Sequence, residues 1–213
     1  MHLIIYCLLF LQPLPQTLST EEGETVLEYE MIVSSLDSVF CNRHKIDISN
    51  DTMIVAFLKA LSFYPELCEK KIRLKYGRIS TSMAAYPQII SVFRKRDNRT
   101  YKVVLTKNPN QLIYDASFNA WVGVMGHELA HVLDYIDKSG FQLAWTGVRY
   151  LGKKYRRTME RQTDMVTIER GLGWQLYSFK YFVAHEANVS EKYRKYKLDV
   201  YMKPEEIFEI ISR

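Results

Sequence analysis

The chain has 213 residues, of which 47% are hydrophobic and 25% are charged. These values are ordinary for a globular protein, and 15 Tyr and 10 Phe argue further against global disorder. A chain of this length can bury a full core without disulfide bonds, so we expect a single domain at residues 20–213 behind a short leader.

The leader is predicted from the first 19 residues, which contain no Lys, Arg, Asp or Glu and include an almost wholly apolar stretch at residues 3–11. Thr17 and Ser19 are small residues at the two positions that a signal peptidase reads. The pattern resembles a signal peptide at residues 1–19 and predicts an exported protein, periplasmic or secreted, although the region before the apolar stretch lacks a basic side chain. A misassigned start or a short buried segment is the alternative, and it would leave the protein cytoplasmic.

Removal of the leader would leave two cysteines, Cys41 and Cys68. In an oxidising compartment they could form a disulfide bond. Two separate buried thiols are the alternative, and the sequence leaves both open.

The formal net charge is +5, and the basic residues are clustered. The clusters lie at residues 70–75, 94–99, 153–161 and 192–197. Solvated helix faces and turns explain such clusters, and an anionic partner, either nucleic acid or a lipid surface, is the alternative. Because export would remove the protein from nucleic acid, we expect no nucleic-acid partner and keep peripheral membrane association open.

The first half of the chain predicts helices followed by strands. Apolar residues recur at helical spacing over residues 26–40 and 53–63, and Ser49, Asn50 and Asp51 supply capping side chains for the second helix. Residues 71–79 alternate between apolar and charged side chains, whereas residues 89–93 and 101–106 are rich in β-branched and aromatic residues. Three strands are therefore predicted, with a hairpin turn at Asp97-Asn98 between the last two.

The second half is predicted to be helical. A helix capped by Asp115 or Ser117 should span residues 118–136, followed by helices near 143–151 and 156–169. Leu172, Leu176, Phe179 and Val183 form a core stripe, and Pro204 marks a last helix start. The predicted fold class is α+β, a small sheet packed on a helical half.

The most informative motif is His-Glu-Leu-Ala-His at residues 127–131. On a helix, His127 and His131 project from one face, one turn apart, so that two imidazoles can bind one zinc ion. Glu128 lies beside them and could take a proton from a metal-bound water as a general base. A chance histidine pair on an amphipathic helix is the alternative.

A second pair of residues, Glu160 and Asp164, is also four apart on a predicted helix. A catalytic zinc has three protein ligands and one open position, and Glu160 could be the third ligand. Asp164 could accept a hydrogen bond from the outer nitrogen of a ligating histidine and so fix its tautomer. A solvated face paired with neighbouring arginines is the alternative.

The two motifs together resemble those of the gluzincin metallopeptidases, and their compact spacing looks like that of the small soluble periplasmic relatives of the prenyl-protein peptidases. The resemblance covers roughly residues 71–182. It implies a zincin-like fold, a bound Zn²⁺, ligation by His127, His131 and Glu160, and a general base at Glu128. It also implies a metallopeptidase (a hydrolase) acting on a protein or peptide. No membrane-spanning hairpins accompany the motif, and no third histidine marks a metzincin.

Two further roles need residues that the motifs do not supply. The developing oxyanion needs a donor, for which His185 is the first candidate and Arg170, Tyr177, Tyr181 and Tyr201 are others. In zincins the substrate lies along an edge strand, so the strand at residues 101–106 is our candidate, with Tyr101, Val103 and Leu105 as substrate-binding residues.

A different class of function also accounts for part of the sequence. In this alternative the basic clusters and aromatic residues form a binding module for nucleic acid or an anionic surface, and the metal site is not catalytic. The substrate, the cleavage preference and the oligomeric state do not follow from the sequence.

Overall fold

The structure, a computed structural model, describes residues 43–108 and 112–213. The predicted signal peptide at residues 1–19, the predicted helix at residues 26–40 and Cys41 lie outside the described residues.

A four-stranded sheet forms the β part of the fold. Its strands are β1 (Lys45–Asp47), β2 (Lys71–Gly77), β3 (Met83–Pro87) and β4 (Thr100–Thr106), arranged in the order β1-β2-β4-β3. β1, β2 and β4 run parallel, and β3 pairs antiparallel with β4. β4 is therefore an interior strand, and β3 lies at the edge.

This strand order corrects the predicted substrate-binding strand. Tyr101, Val103 and Leu105 lie on β4, which pairs with β2 on one side and β3 on the other, and each is at most 1% exposed. The apolar run at residues 101–106 reflects a strand covered on all sides, not an edge strand. The prediction that these three side chains contact substrate is wrong, because they form part of the core.

The predicted strand at residues 89–93 and its hairpin are also wrong. Ile89–Ser91 forms one turn of 3₁₀ helix, and the side chains of Ile89, Ile90 and Phe93 are at least 76% exposed. The predicted turn residues belong to a second 3₁₀ turn, Arg96–Asn98, which leads into β4. β-branched composition indicated a strand here, but none of the four described strands pairs with this segment.

The first two helices follow the predictions closely. Helix α1 spans Asp51–Leu61 and is capped by Asn50, whose side chain accepts a hydrogen bond of 2.9 Å from the Met53 amide. Helix α2 spans Phe118–Ile136 and is capped by Ser117, whose hydroxyl accepts from the Ala120 amide. Both caps satisfy amides that the helix itself leaves unpaired.

Five more helices complete the described fold: α3 (Gly140–Tyr150), α4 (Lys153–Thr167), α5 (Gly173–Tyr181), α6 (Glu191–Val200) and α7 (Pro204–Ile211). α3 and α4 each begin three residues before the predicted start. A π-helical turn, Ile168–Leu172, joins α4 to α5, and Gly171 within it has a φ of 89°, which glycine adopts without strain. The predicted stripe of Leu172, Leu176, Phe179 and Val183 is buried.

Helix α2 is the central element of the core. It contacts α1, α4, α5 and strand β3, and its residues from 122 to 132 are all buried. The predicted α+β class is thus confirmed in its coarse form, with a small mixed sheet beside a larger helical part. Among the described helices, none combines the length and apolarity needed to cross a bilayer.

Two contacts fix the position of α2 next to its histidines. The buried Tyr64 hydroxyl donates a 2.8 Å hydrogen bond to the carbonyl of Gly126, the residue before His127. At Gly123 the backbone of α5 comes so close that a Cβ atom would lie 2.1 Å from the Gln175 carbonyl oxygen. Only glycine allows this approach of the two helices.

We expect Gly123→Ala to destabilise the protein by about 1–3 kcal/mol or more, because the added methyl group would force two backbones apart. Gly147→Ala is the matched control, since a Cβ atom there meets nothing within 4 Å. In the exposed interior of α3 it should stabilise by about 0.5–1 kcal/mol. Urea unfolding measures both, and equal effects of the two substitutions would contradict the close approach.

Candidate metal centre

Two imidazoles and one carboxylate meet between helices α2 and α4. His127 and His131 are one turn apart on α2, both are buried, and their ring centroids are 4.8 Å apart. Glu160 on α4 is also buried and directs Oε2 between the rings, 3.0 Å from His127 Nε2 and 3.3 Å from His131 Nε2. Sequence reasoning predicted these three residues as a set, and the fold brings them together.

The spacing of the three side chains suits a small cation. One ligand atom from each residue lies within 4.8 Å of the other two. Ligand atoms about 2.0–2.2 Å from one tetrahedral zinc are about 3.3–3.5 Å apart, so the set needs only small rotations to close on an ion. Two imidazoles with one carboxylate are a donor set that zinc accepts well.

Side chains of α4 form hydrogen bonds with the Nδ1 atoms of both rings, and this orients the Nε2 atoms towards Glu160. His127 Nδ1 donates to Asp164 Oδ1 at 2.8 Å. The Thr163 hydroxyl gives its proton to the Met159 carbonyl at 2.9 Å, and it can therefore accept from His131 Nδ1 at 3.3 Å. Such outer partners fix the tautomer of a metal-binding histidine and orient its ring.

Asp164 is itself held on two sides. Its Oδ1 lies 2.8 Å from the Lys180 ammonium, and its Oδ2 accepts a 2.9 Å hydrogen bond from the Met202 amide. Burial would raise the pKa of Asp164, but Lys180 and His127 outweigh burial and hold it below the usual range. Asp164 is therefore a fixed carboxylate that can only accept hydrogen bonds.

Without a cation, the His127 ring lies between two carboxylates. Burial would lower the pKa of His127, but Asp164 and Glu160 together raise it to about 9. Burial would raise the pKa of Glu160, but the contacts of its Oε2 with His127 and His131 keep it below the usual range. The proton on His127 Nε2 thus occupies the place of a cation, and metal binding would release it.

Tyr150, at the end of α3, supplies a further partner for Glu160. Its hydroxyl donates a hydrogen bond to Glu160 Oε1, the second oxygen of the carboxylate whose Oε2 contacts the histidines. Burial and the Glu160 charge raise the pKa of Tyr150, so the hydroxyl stays protonated and remains a donor. All three metal-facing side chains therefore have a second partner that sets their orientation.

A small cavity opens beside the histidines. His127 and Glu128 line it from α2, and Ser82 and Met83 line it where β3 begins. Its other polar lining comes from Thr81, Lys180, Lys197 and Tyr201. No described residue donates a hydrogen bond to the Glu128 carboxylate, so its oxygens are left for a water or a ligand in the cavity.

Of the five predicted oxyanion donors, the structure places only one in the lining of this cavity. His185 does not line the cavity: it lies exposed on the surface, where its ring is 4.6 Å from that of Tyr181 and its Nε2 is 3.9 Å from Glu205. This position gives no support to the prediction of a catalytic His185. Arg170 is paired with Glu66 and is not among the residues that line the cavity. Tyr201 is the one candidate of the five that lines the cavity, with its ring 5.7 Å from that of His127.

Sequence reasoning missed four polar residues of the site: Tyr150, Thr163, Lys180 and Lys197. Thr163 had a signal, because Glu160, Thr163, Asp164 and Thr167 form a polar stripe at helical spacing and all four are buried. The sequence also contains a signal for Lys180, because this residue lies four positions after Leu176 and therefore on the same helix face as the apolar stripe. Tyr150 and Lys197 reach the site only through the tertiary fold.

Comparison of the chain with models of known protein families, with curated proteins and with solved structures finds no match. The geometry of the site is therefore the basis for its interpretation.

We expect one zinc ion per chain by elemental analysis, and zinc at 100 times its dissociation constant should stabilise the fold by about 2.7 kcal/mol. Glu160→Gln should weaken zinc binding more than about 100-fold, because it removes the charged ligand while leaving the side-chain shape. His185→Ala is the control and should bind zinc like the wild type. Unchanged zinc content in Glu160→Gln would exclude this site.

Proposed function

We propose that the protein is a zinc-dependent peptidase of the zincin type, with a site arranged like that of the gluzincins. The observation that carries the proposal is the buried set of His127, His131 and Glu160 beside a cavity that Glu128 also lines. Three ligands leave a fourth position for a water, whereas a structural zinc site has four protein ligands. Within residues 43–108 and 112–213, no fourth His, Cys, Asp or Glu joins the set.

Bound zinc would supply a water with a pKa near 7 and a positive charge beside the substrate carbonyl. The part of Glu128 is to take the proton of that water and pass it to the leaving amine. Glu128 directly follows His127 and lines the cavity, and no described residue donates a hydrogen bond to its carboxylate. These observations support this role. The positions of Asp164 and Thr163 support a role in holding the two rings while the charge of the site changes.

Strand β3 is the candidate surface for substrate binding. It is an edge strand, it contacts α2, and Met83 at its start lines the cavity. An extended peptide could add to its free edge by main-chain hydrogen bonds and thereby place a carbonyl beside Glu128. This assignment replaces the interior strand β4.

Lys197 and Tyr201 are the candidates for stabilising negative charge in the transition state. The Lys197 ammonium lies 4.4 Å from the Tyr201 ring centroid, and both residues line the cavity. Lys180 lies 4.2 Å from the same ring but is already paired with Asp164. Lys197 forms no ion pair with a described carboxylate, so its charge is left for an anion in the cavity.

Glu128→Gln should abolish cleavage of an unfolded protein such as labelled casein while zinc content stays at one per chain. We expect a loss of at least about 1,000-fold, because the amide cannot take a proton. Glu169→Gln, an exposed residue of the π-helical turn, is the control and should cleave like the wild type.

Full cleavage by Glu128→Gln with normal zinc content would refute the general-base assignment. Metal-free wild-type protein that binds DNA strongly, with affinity falling steeply as salt rises, would favour the binding-module alternative.

Lys197→Met should lower kcat by about 100-fold with little change in KM, because its charge would act on the transition state more than on the bound substrate. Lys195→Met on the same helix is the control, since that side chain is exposed and its one ion pair with a described residue is to Glu191 at 3.9 Å. Steady-state kinetics on one peptide measures both. A change in KM alone would assign Lys197 to substrate binding instead.

A further inference from the structure

Helix α3 carries its apolar stripe on the outside of the molecule. Phe141, Trp145 and Val148 are between 55% and 77% exposed, and Leu151, just past the helix end, is 77% exposed. These positions follow helical spacing and therefore form one continuous face. The opposite face buries only Leu143 and Thr146. An amphipathic helix in a globular protein normally has the reverse orientation, with its apolar face on the core.

A neighbouring segment extends this face. The turn that contains Ile89, Ile90 and Phe93 lies against the start of α3, where a Cβ atom on Gly140 would be 2.9 Å from the Val92 carbonyl oxygen and 3.3 Å from the Phe93 ring. Arg99 links the residues that flank this contact, because it donates hydrogen bonds to the carbonyl of Arg94, next to Phe93, and to the carbonyl of Lys138, two residues before α3. We call the combined surface the apolar face; it consists of Ile89, Ile90, Phe93, Phe141, Trp145, Val148 and Leu151.

The charges around the apolar face are nearly all positive. Residues 138–157 contain six Lys or Arg and no Asp or Glu. Residues 88–96 contain three Lys or Arg and also no Asp or Glu. Of the adjacent carboxylates, Asp97 and Asp134 are paired with Lys70 and Lys138, and Asp137 is the exposed one for which the described residues supply no ion pair. The exposed cations that remain, here called the basic rim, are Arg94, Lys95, Arg96, Arg149 and Lys154.

We propose that the apolar face and its basic rim bind the surface of an anionic phospholipid bilayer. Exposed Trp and Phe beside Lys and Arg is the composition of helices that lie in a membrane interface, with the rings among the acyl chains and the cations at the headgroups. A second copy of this chain would bring two basic rims together, which repel. Nucleic acid would account for the cations but not for seven exposed apolar side chains.

The proposal does not depend on the peptidase assignment, because vesicle binding is measured without substrate and on Glu128→Gln as well as on the wild type. We expect the full chain to sediment with vesicles of 30% phosphatidylglycerol in phosphatidylcholine. Binding to pure phosphatidylcholine should be at least about tenfold weaker, and binding to the mixed vesicles should fall as salt rises.

Two pairs of variants separate the contributions. Phe141→Ala with Trp145→Ala should weaken vesicle binding at least about tenfold, whereas Phe208→Ala, an exposed aromatic residue on α7, should leave it unchanged. Arg94→Gln with Lys95→Gln should weaken it by about fivefold or more per charge, whereas Lys192→Gln with Lys195→Gln, which makes the same change in net charge on α6, should not. Circular dichroism confirms folding of each variant.

A third measurement tests whether something else covers the apolar face. In the variant Trp145→Cys, the new cysteine should react rapidly with a maleimide in solution and slowly when anionic vesicles are present. Peptide mapping identifies the cysteine that has reacted. Slow reaction without vesicles would mean that another part of the chain, or at high concentration a second copy, covers the face, and it would overturn the proposal. Vesicle binding that the first variant pair does not weaken would overturn it too, as would equal binding to DNA and to vesicles.

Discussion

The burial of charge between α2 and α4 is the constraint on which the rest of the structure depends. Glu160, Asp164 and Lys180 are each at most 8% exposed. Removal of an ion from water costs several kcal/mol, which only close and well-oriented partners can offset. Here a carboxylate, an imidazole, a second carboxylate and an ammonium follow one another at 2.8–3.0 Å. Apolar side chains of equal volume would stabilise the interface at least as well, so stability alone does not explain this arrangement.

The surrounding fold acts to keep that arrangement rigid. Tyr64 holds the backbone of α2 one residue before His127, and Gly123 lets α5 approach so that Lys180 can reach Asp164. Asp164 also accepts from the Met202 amide, which ties the start of α7 to the same group. Sites that bind metal or stabilise charge depend on side chains whose positions are fixed before the ligand arrives, and each of these contacts contributes to that.

Sequence reasoning succeeded where the signal was local and failed where it was not. The bounds of α2 follow from helical periodicity and a cap at Asp115 or Ser117, of which the structure uses Ser117, and Glu160 and Asp164 follow from spacing on one helix. The apolar composition of residues 101–106 indicated a strand, but strand order is set by tertiary pairing, so an interior strand was mistaken for an edge strand. The composition of residues 89–93 predicts a strand only if their apolar side chains are assumed to be buried, and most of them are exposed.

Helix α3 links the two parts of the molecule to which we assign roles. Its outer stripe includes Trp145 and Phe141, and its last residue, Tyr150, donates to Glu160 at the candidate metal centre. The hydroxyl of Tyr150 can keep that bond only while the end of α3 stays in place against α4, and α3 buries little of its own surface to hold it there. A surface that binds the outer stripe would add contacts to this helix without touching the site. The proposed membrane binding and the orientation of Glu160 therefore depend on the same eleven-residue element.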